Sequence, residues 1–193
     1  MNNNWHKKEK PLLGLTGLGG GVDGLGVTGL ATKAYLDEVF STYVYKGNGG
    51  AQQITNNIDN AGKGGLVWLK NRDRSTYASH LLFDTERGST EYILSDSNAA
   101  EATSGSGTGI NTFNADGFTL QGNGYGSNYD TEDFVSWNFR QQKGFFDVVT
   151  YTGNGVDGRS ISHSLGCIPG MWMVKNLDGT DNWTVGHSRM LGG

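Results

Sequence analysis

One short phrase occurs twice in the chain, and this repeat constrains the fold more than any other feature. Residues 45–49 read YKGNG and residues 151–155 read YTGNG. Each copy is followed by an apolar run with a tryptophan that ends in Lys-Asn, GGLVWLKN at 64–71 and PGMWMVKN at 169–176. The two lysines, Lys70 and Lys175, stand 175 − 70 = 105 residues apart. That period exceeds the roughly 20–50 residues of solenoid and propeller repeats and fits a small domain. We therefore predict two tandem domains, the second of them incomplete.

The segments between the repeated phrases are short, apolar and separated by turn residues. Glycine makes up 32 of the 193 residues, more than twice the usual ~7%. Asn114–Gly117 reads NADG between INTF and FTL, which predicts a hairpin. In DFVSWNF the large side chains do not keep to one face, which predicts a central strand covered on both faces, or a bulge. Seven or eight such segments predict a complete all-β sandwich over residues 41–142. GFFDVVTYTG would then be the first strand of the incomplete repeat over 143–193.

The part of the chain before residue 41 differs from the rest. Thr32–Phe40 places apolar residues on one helical face, so we predict one short helix over 31–40. We predict that residues 1–30 are a flexible or extended arm rich in glycine and leucine, too broken by glycine for a helix or a membrane span. We expect its tryptophan, lysine and leucine side chains to dock on neighbouring proteins, namely Trp5, Lys7, Lys8, Leu12, Leu13, Leu15, Leu18, Leu25 and Leu30. Disorder of this arm is the alternative to its docking.

The composition argues against several function classes. A net charge of −4 and a pI near 5.5 argue against nucleic-acid binding, which favours a basic face. The single cysteine, Cys167, excludes an intrachain disulfide, and we expect it to be a buried small hydrophobic residue. No phosphate-binding loop, nucleophile elbow or metal-type histidine pair occurs. The sequence therefore predicts no cofactor and no metal.

Asp84 and Glu86, in FDTERG, are the carboxylates on which an enzymatic function would depend. Two residues apart on a strand, their side chains would point the same way, at a spacing compatible with the carboxyl pair of a glycosidase. Arg87 follows directly, so we favour a surface ion-pair cluster and predict no enzymatic activity.

Tyr125 and Tyr129 lie in a glycine-rich segment, GNGYGSNYD, that reads as a loop. Exposed tyrosine rings can stack on sugar rings, so these two residues are the candidates for glycan contact. Packing of both rings against the edge of the sandwich is the alternative that we prefer.

The longest stretches of sequence resemble a family of virion structural proteins from marine bacteriophages, especially phages of cyanobacteria. The resemblance is carried by FSTYVYKGNGGAQQITNNIDNAGKGGLVWLKNR, by DFVSWNFRQQKGFFDVVTYTGNG and by SHSLGCIPGMWMVKN. It implies tandem concanavalin-like or jelly-roll sandwich domains, a virion location and a non-enzymatic role, and it supplies no catalytic residues. Departing from this pattern, the second copy stops after WTVGHSRMLGG. Half a sandwich would expose an apolar face and unpaired edges, so we expect either that the chain is a fragment of a longer fibre, which we favour, or that other chains complete the domain.

The resemblance implies a tail fibre whose arm attaches to the tail and whose sandwich domains project towards the host. Its expected partners are other virion proteins, such as tail adaptor, nozzle or portal-proximal proteins, in a homotrimer located at the phage tail. A lectin-like module that binds host glycans is the first alternative, and a capsid decoration protein is the second. We expect no membrane insertion and no nucleic-acid partner.

Overall fold

Three antiparallel sheets organise the residues that this computed structural model describes, which are 34–76, 78–105 and 108–190. The arm predicted at 1–30 and all nine of its proposed docking residues lie outside them. The strands are β1 Phe40–Lys46, β2 Gln52–Thr55, β3 Gly65–Asn71, β4 Leu81–Asp84, β5 Gly88–Leu94, β6 Ala102–Thr103, β7 Ile110–Asn114, β8 Gly117–Leu120, β9 Asp133–Arg140, β10 Met171–Val174 and β11 Thr184–His187. The helical elements are α1 Leu36–Val39, α2 Asn60–Lys63 and a 3-10 turn at Ser188–Met190.

Strands β1 to β9 form a sandwich. One sheet has six strands in the order β1-β9-β3-β4-β5-β6, and the other has three in the order β2-β8-β7. Both sheets are antiparallel. The predicted hairpin is present, because Asn114 pairs with Gly117 at the β7–β8 turn. The all-β sandwich predicted from the sequence is confirmed.

The core lies between the sheets because alternate residues of each strand point inward. Strand β3 shows the period most clearly, since every second residue from Gly65 to Asn71 is buried. The same core contains aromatic and aliphatic side chains from both sheets, namely Tyr45, Ile54, Val67, Leu69, Phe83, Ile110, Phe118, Leu120 and Phe134.

Strand β9 is the inner strand between β1 and β3, and its pairing with both continues without a bulge. Phe134 is fully buried and stacks on Tyr45 with ring centroids 5.3 Å apart. On the other face, Trp137 meets Trp68 edge to face at 5.7 Å. The prediction of a central strand is therefore confirmed and β9 has no bulge, but its second face is only half-buried at Trp137 and Phe139.

The predicted helix over 31–40 is shorter in the structure. Within the described residues it covers Leu36–Val39, and Phe40 already belongs to β1. Phe40 pairs with Phe139, with ring centroids 4.9 Å apart, so strand pairing overrides the helical pattern at this residue. The four-residue helix α2 was not predicted; it begins where the Asp59 carboxylate accepts a 2.7 Å hydrogen bond from Gly62 N.

The β10–β11 hairpin has the same arrangement as the β3–β4 hairpin. Val67 pairs with Phe83 in the first, and Trp172 pairs with Gly186 in the second. The larger side chain of the pair is therefore on the second strand in the first hairpin (Phe83) and on the first strand in the second hairpin (Trp172). A Cβ on Gly186 would lie 2.1 Å from the Trp172 ring, so the glycine leaves the space that the tryptophan fills.

The two Lys-Asn pairs also make matching hydrogen bonds. Lys70 donates from Nζ to Asn71 O and to Ala78 O, at 2.6 and 2.8 Å. Lys175 likewise donates to Asn176 O and to Gly179 O, at 2.6 and 2.9 Å. In both copies the lysine holds together the loop that leaves the strand.

The strand predicted over 144–153 is absent, so this prediction is wrong. Among the described residues this segment makes one bridge, between Gln142 and Phe146, and no ladder. Its counterpart in the first copy is β1, whose partner in the sheet is β9. No described strand takes the place of β9 in the second copy. Residues 144–153 therefore have the composition of a strand, but no described strand lies beside them to form the backbone hydrogen bonds of a ladder.

Candidate functional site

Asp84 is held at the end of β4 by hydrogen bonds to both of its carboxylate oxygens. The Asp84 carboxylate accepts from Arg87 Nε at 2.6 Å and is 2.5 Å from Arg87 Nη2. Its other oxygen accepts from the backbone N–H groups of Glu86 and Arg87, at 3.1 and 3.0 Å. The two side chains are 3% and 5% exposed. Because both of its oxygens accept hydrogen bonds from the turn, the Asp84 carboxylate stabilises the tight turn between β4 and β5.

Arg87 joins this turn to a distant segment. Its Nη1 donates to Glu101 Oε1 and its Nη2 donates to Leu82 O, both at 3.0 Å. The cluster that we predicted at the surface is therefore buried, and its second acid is Glu101 rather than Glu86. Glu101 could not be identified from the sequence because the strand pairing, and not a local motif, brings it to Arg87.

Glu86 lies in the turn and not on a strand, so it does not share a face with Asp84. It is exposed, and Oε1 accepts from Gln141 Nε2 at 3.2 Å. The spacing argument for a glycosidase pair required both carboxylates on one strand. The structure does not provide that arrangement.

An open depression of about 610 Å³ lies beside Glu86, at the end of the sandwich where β3 begins. Its lining is mostly polar and includes Asn60, Lys63, Glu86, Asn111, Phe113 and Gln141. Asn60 is buried, and its Oδ1 has no hydrogen-bond partner. Such an oxygen can accept a hydrogen bond from a water or from a ligand hydroxyl. Sequence reasoning missed this group because its members come from separate segments with no shared motif.

Tyr125 and Tyr129 come together at the other end of β3. Their rings stack at 4.5 Å with an interplanar angle of 22°. The Arg74 guanidinium lies 4.6 and 4.5 Å from the two ring centroids. Tyr129 packs against the core, whereas Tyr125 is 43% exposed. The two candidate glycan-contact residues are thus adjacent, with one accessible ring between them.

Glu132 and Asn71 fix the position of Arg74. Glu132 forms an ion pair with Arg74 Nε, and this hydrogen bond raises the pKa of the Arg74 guanidinium above its ordinary value. Asn71 Nδ2 donates to Glu132 Oε2 and to Tyr125 O, both at 2.6 Å. The position of the cluster relative to β3 therefore follows from Asn71, the asparagine of the first Lys-Asn pair.

The described histidines and the cysteine are not gathered into a reactive group. His80 Nδ1 accepts from Trp68 Nε1 at 2.8 Å, and His163 and His187 each accept a backbone N–H two residues ahead. Cys167 is exposed, so the prediction that it is buried is wrong. Across 34–76, 78–105 and 108–190, no three His, Cys, Asp or Glu side chains are grouped to hold a metal ion. The helices in these ranges are too short or too polar to cross a membrane.

Comparison with known protein families finds a match that covers most of the chain. A family model described as a domain of unknown function (DUF7483) matches residues 37–192, which is more than half of the chain. The match includes the sandwich, the unpaired segment after it and the β10–β11 hairpin. No curated protein and no solved structure matches the chain.

Proposed function

The chain belongs to the DUF7483 family, a family of domains of unknown function, and we propose that it is a non-enzymatic structural protein of a bacteriophage virion. In this proposal it is a tail fibre. Residues 1–30 attach it to tail adaptor, nozzle or portal-proximal proteins, and the sandwich projects towards the host. The resemblance of its repeated segments to phage virion proteins motivates the virion location and the tail position.

The main support for a structural role is that Asp84 is buried and bonded to Arg87. The residue most suited to catalysis in the sequence is 2% exposed and binds Arg87 and two turn amides. Removing a charged pair from water is costly unless each partner is satisfied by the other. The chain thus uses its best catalytic candidate to hold two strands together, as expected of a rigid module.

A second observation favours membership of a larger assembly. Large apolar side chains are exposed from residue 149 onwards, including Tyr151, Ile168, Met171 and Met190 at 48%, 87%, 57% and 77%. Grouped exposure of this kind marks surfaces that other proteins cover. By analogy with fibre proteins in general, the assembly would be a homotrimer, about three times the 20.7 kDa of one chain.

The virion proposal is tested on phage particles purified by density gradient. Mass spectrometry should find peptides of this chain at a fixed ratio to the major capsid protein, and gold-labelled antibodies should mark the tail. If the chain is abundant in the lysate but absent from the purified particles, the proposal is wrong. A label on the capsid would replace the tail fibre with a decoration protein. Light scattering on the purified chain tests the trimer separately.

Glycan binding is a second candidate, favoured by the accessible Tyr125 ring beside Arg74. A titration of host polysaccharide should show binding that Tyr125→Ala removes, since stacking on a sugar needs the ring. Tyr43→Ala is the matched control, because Tyr43 is 39% exposed on β1, outside the cluster. If no polysaccharide binds, or if both variants bind as the parent does, this candidate is eliminated.

A further inference from the structure

The loop that joins β10 to β11 is in direct contact with the loop that joins β5 to β6. Trp183 Nε1 donates a 2.9 Å hydrogen bond to the backbone oxygen of Leu94, the last residue of β5. The backbone N–H of Glu101 donates to Leu177 O, also at 2.9 Å. The second copy of the repeat is thus attached to the first at two points besides its covalent connection.

The loop of the first copy, residues 94–101, is held in place by bonds within the first sandwich. The backbone N–H of His80 donates to Asp96 Oδ1 at 3.1 Å. At the other end of the loop, Glu101 Oε1 accepts from Arg87 Nη1 at 3.0 Å. Because this guanidinium belongs to the buried ion-pair cluster, the cluster also fixes the position of the Glu101 N–H that the second copy meets.

The loop of the second copy, residues 176–183, is held in shape by its own hydrogen bonds. Asn176 Nδ2 donates to Asp181 Oδ2 at 2.6 Å, and Asp178 N donates to Asn176 Oδ1 at 3.0 Å. Lys175 adds its two bonds from the end of β10. A preformed loop loses little conformational freedom when it docks, so the contact is formed at a low entropic cost.

The contact involves the loop end of the β10–β11 hairpin rather than its strands. A crevice of about 510 Å³ lies between the two loops, with residues 95–98 on one wall and residues 182–183 on the other. In the loop, Leu177 is half-buried. In the strands, Met171 and Val185 are 57% and 51% exposed. The hairpin therefore meets the first copy through its loop.

We propose that residues 94–101 are a docking surface for the next copy of the repeat, and that this contact holds successive copies of one chain in a fixed orientation. The joint consists of residues 94–101 and 176–183. Its two preformed loops, together with the covalent connection, restrict rotation of the second copy. Because both loops belong to one chain, the joint forms whatever the protein concentration. It does not depend on where the protein is located, so its failure would leave the virion proposal as it stands.

Exchange of the Glu101 amide reports the joint directly, because its acceptor, Leu177 O, belongs to the second copy. NMR on the 193-residue chain, at a concentration where light scattering shows a monomer, should find this amide protected. Relaxation of ¹⁵N should give one rotational correlation time for β3 and β10, since a rigid joint makes both tumble together. The proposal is overturned if Glu101 exchanges as an open amide, or if β10 tumbles faster than β3.

Two variants of Trp183 and one control make the test specific. Trp183→Ala removes the ring and the donor, and it should speed exchange of the Glu101 amide about tenfold. Trp183→Phe removes only the donor and should speed it about threefold. Ile168→Ala, at a position 87% exposed in the second copy, should keep the rate within a factor of about two. Exchange in β3 should stay unchanged in all three variants.

The same variants show how the proposal would fail. It is overturned if Trp183→Ala leaves the Glu101 rate unchanged, or if Ile168→Ala speeds it as much. Protection of the β10 amides shows whether the hairpin itself persists in Trp183→Ala. If the hairpin is lost, Trp183→Phe decides, and an unchanged Glu101 rate in that variant overturns the proposal.

Discussion

Replacing the equivalent glycines of the two phrases by alanine should have opposite effects on the free energy of unfolding. In Gly47→Ala, the new Cβ would sit 2.1 Å from the backbone oxygen of Tyr129. A backbone oxygen cannot rotate away as a side chain can. The loop at 128–132 must therefore move, and with it the hydrogen bonds from Gly47 N to Glu132 O and from Gly49 N to Asn128 O.

The magnitude follows from the two losses. Overpacking of a close-packed site costs about 1–3 kcal/mol, and each weakened hydrogen bond adds about 0.5–1.5 kcal/mol. We expect Gly47→Ala to lower the free energy of unfolding by roughly 2–6 kcal/mol, a large part of the ~5–15 kcal/mol of a typical domain. Gly153 has open space and no left-handed φ, so Gly153→Ala should raise it by at most ~1 kcal/mol.

Urea denaturation measures both variants against the parent. Tryptophan fluorescence reports the sandwich, since Trp68 and Trp137 pack together in its larger sheet. Far-UV circular dichroism on the same samples checks that the slope of the transition is unchanged, so that the midpoints can be compared. Equal midpoints for Gly47→Ala and the parent would refute the reasoning, and so would equal losses in the two variants.

Three further predictions concern the first sandwich and the second hairpin. Arg87→Met should lower the free energy of unfolding by about 3–5 kcal/mol, because it leaves the buried Asp84 carboxylate without its cation; a urea midpoint like that of the parent would contradict this. Burial raises the pKa of the Tyr45 hydroxyl well above its ordinary 10.0, so its contribution to stability is complete below that pH and declines as pH rises above it. Tyr45→Phe should lower the free energy of unfolding by ~1 kcal/mol at neutral pH, because Ser127 O loses its 2.6 Å donor. The variant should also lack the part of the stability loss at high pH that the Tyr45 hydroxyl causes in the parent, as measured by urea denaturation between about pH 8 and 11. A variant that loses as much stability at high pH as the parent would show that Tyr45 does not contribute. Gly186→Val should displace Trp172 and speed hydrogen exchange in β10 and β11 without changing exchange in β3, and unchanged exchange in β10 would contradict the packing described.

Much of the first sandwich was predictable because its signals are local. The alternation of β3, the turn residues at Asn114–Gly117 and the two-sided apolar pattern of β9 each specify a conformation within a few residues. The helix prediction failed at Phe40 because pairing with Phe139 competes with a two-turn helix, and short helices are marginal without packing. The candidate site was less predictable. Tyr125 and Tyr129 were identified correctly as neighbours in a loop, but their contact with Arg74 depends on chain folding between distant segments.

By itself, the sequence determined the class of fold, the positions of most strands and the existence of a repeat. These properties depend on side-chain periodicity and turn chemistry, which act between near neighbours. Tertiary structure decided which groups meet. It paired Arg87 with Glu101, buried Asp84, and placed Tyr129 O against Gly47. It also decided that 146–152 forms no strand, because a strand is stable only when a second strand satisfies its backbone hydrogen bonds.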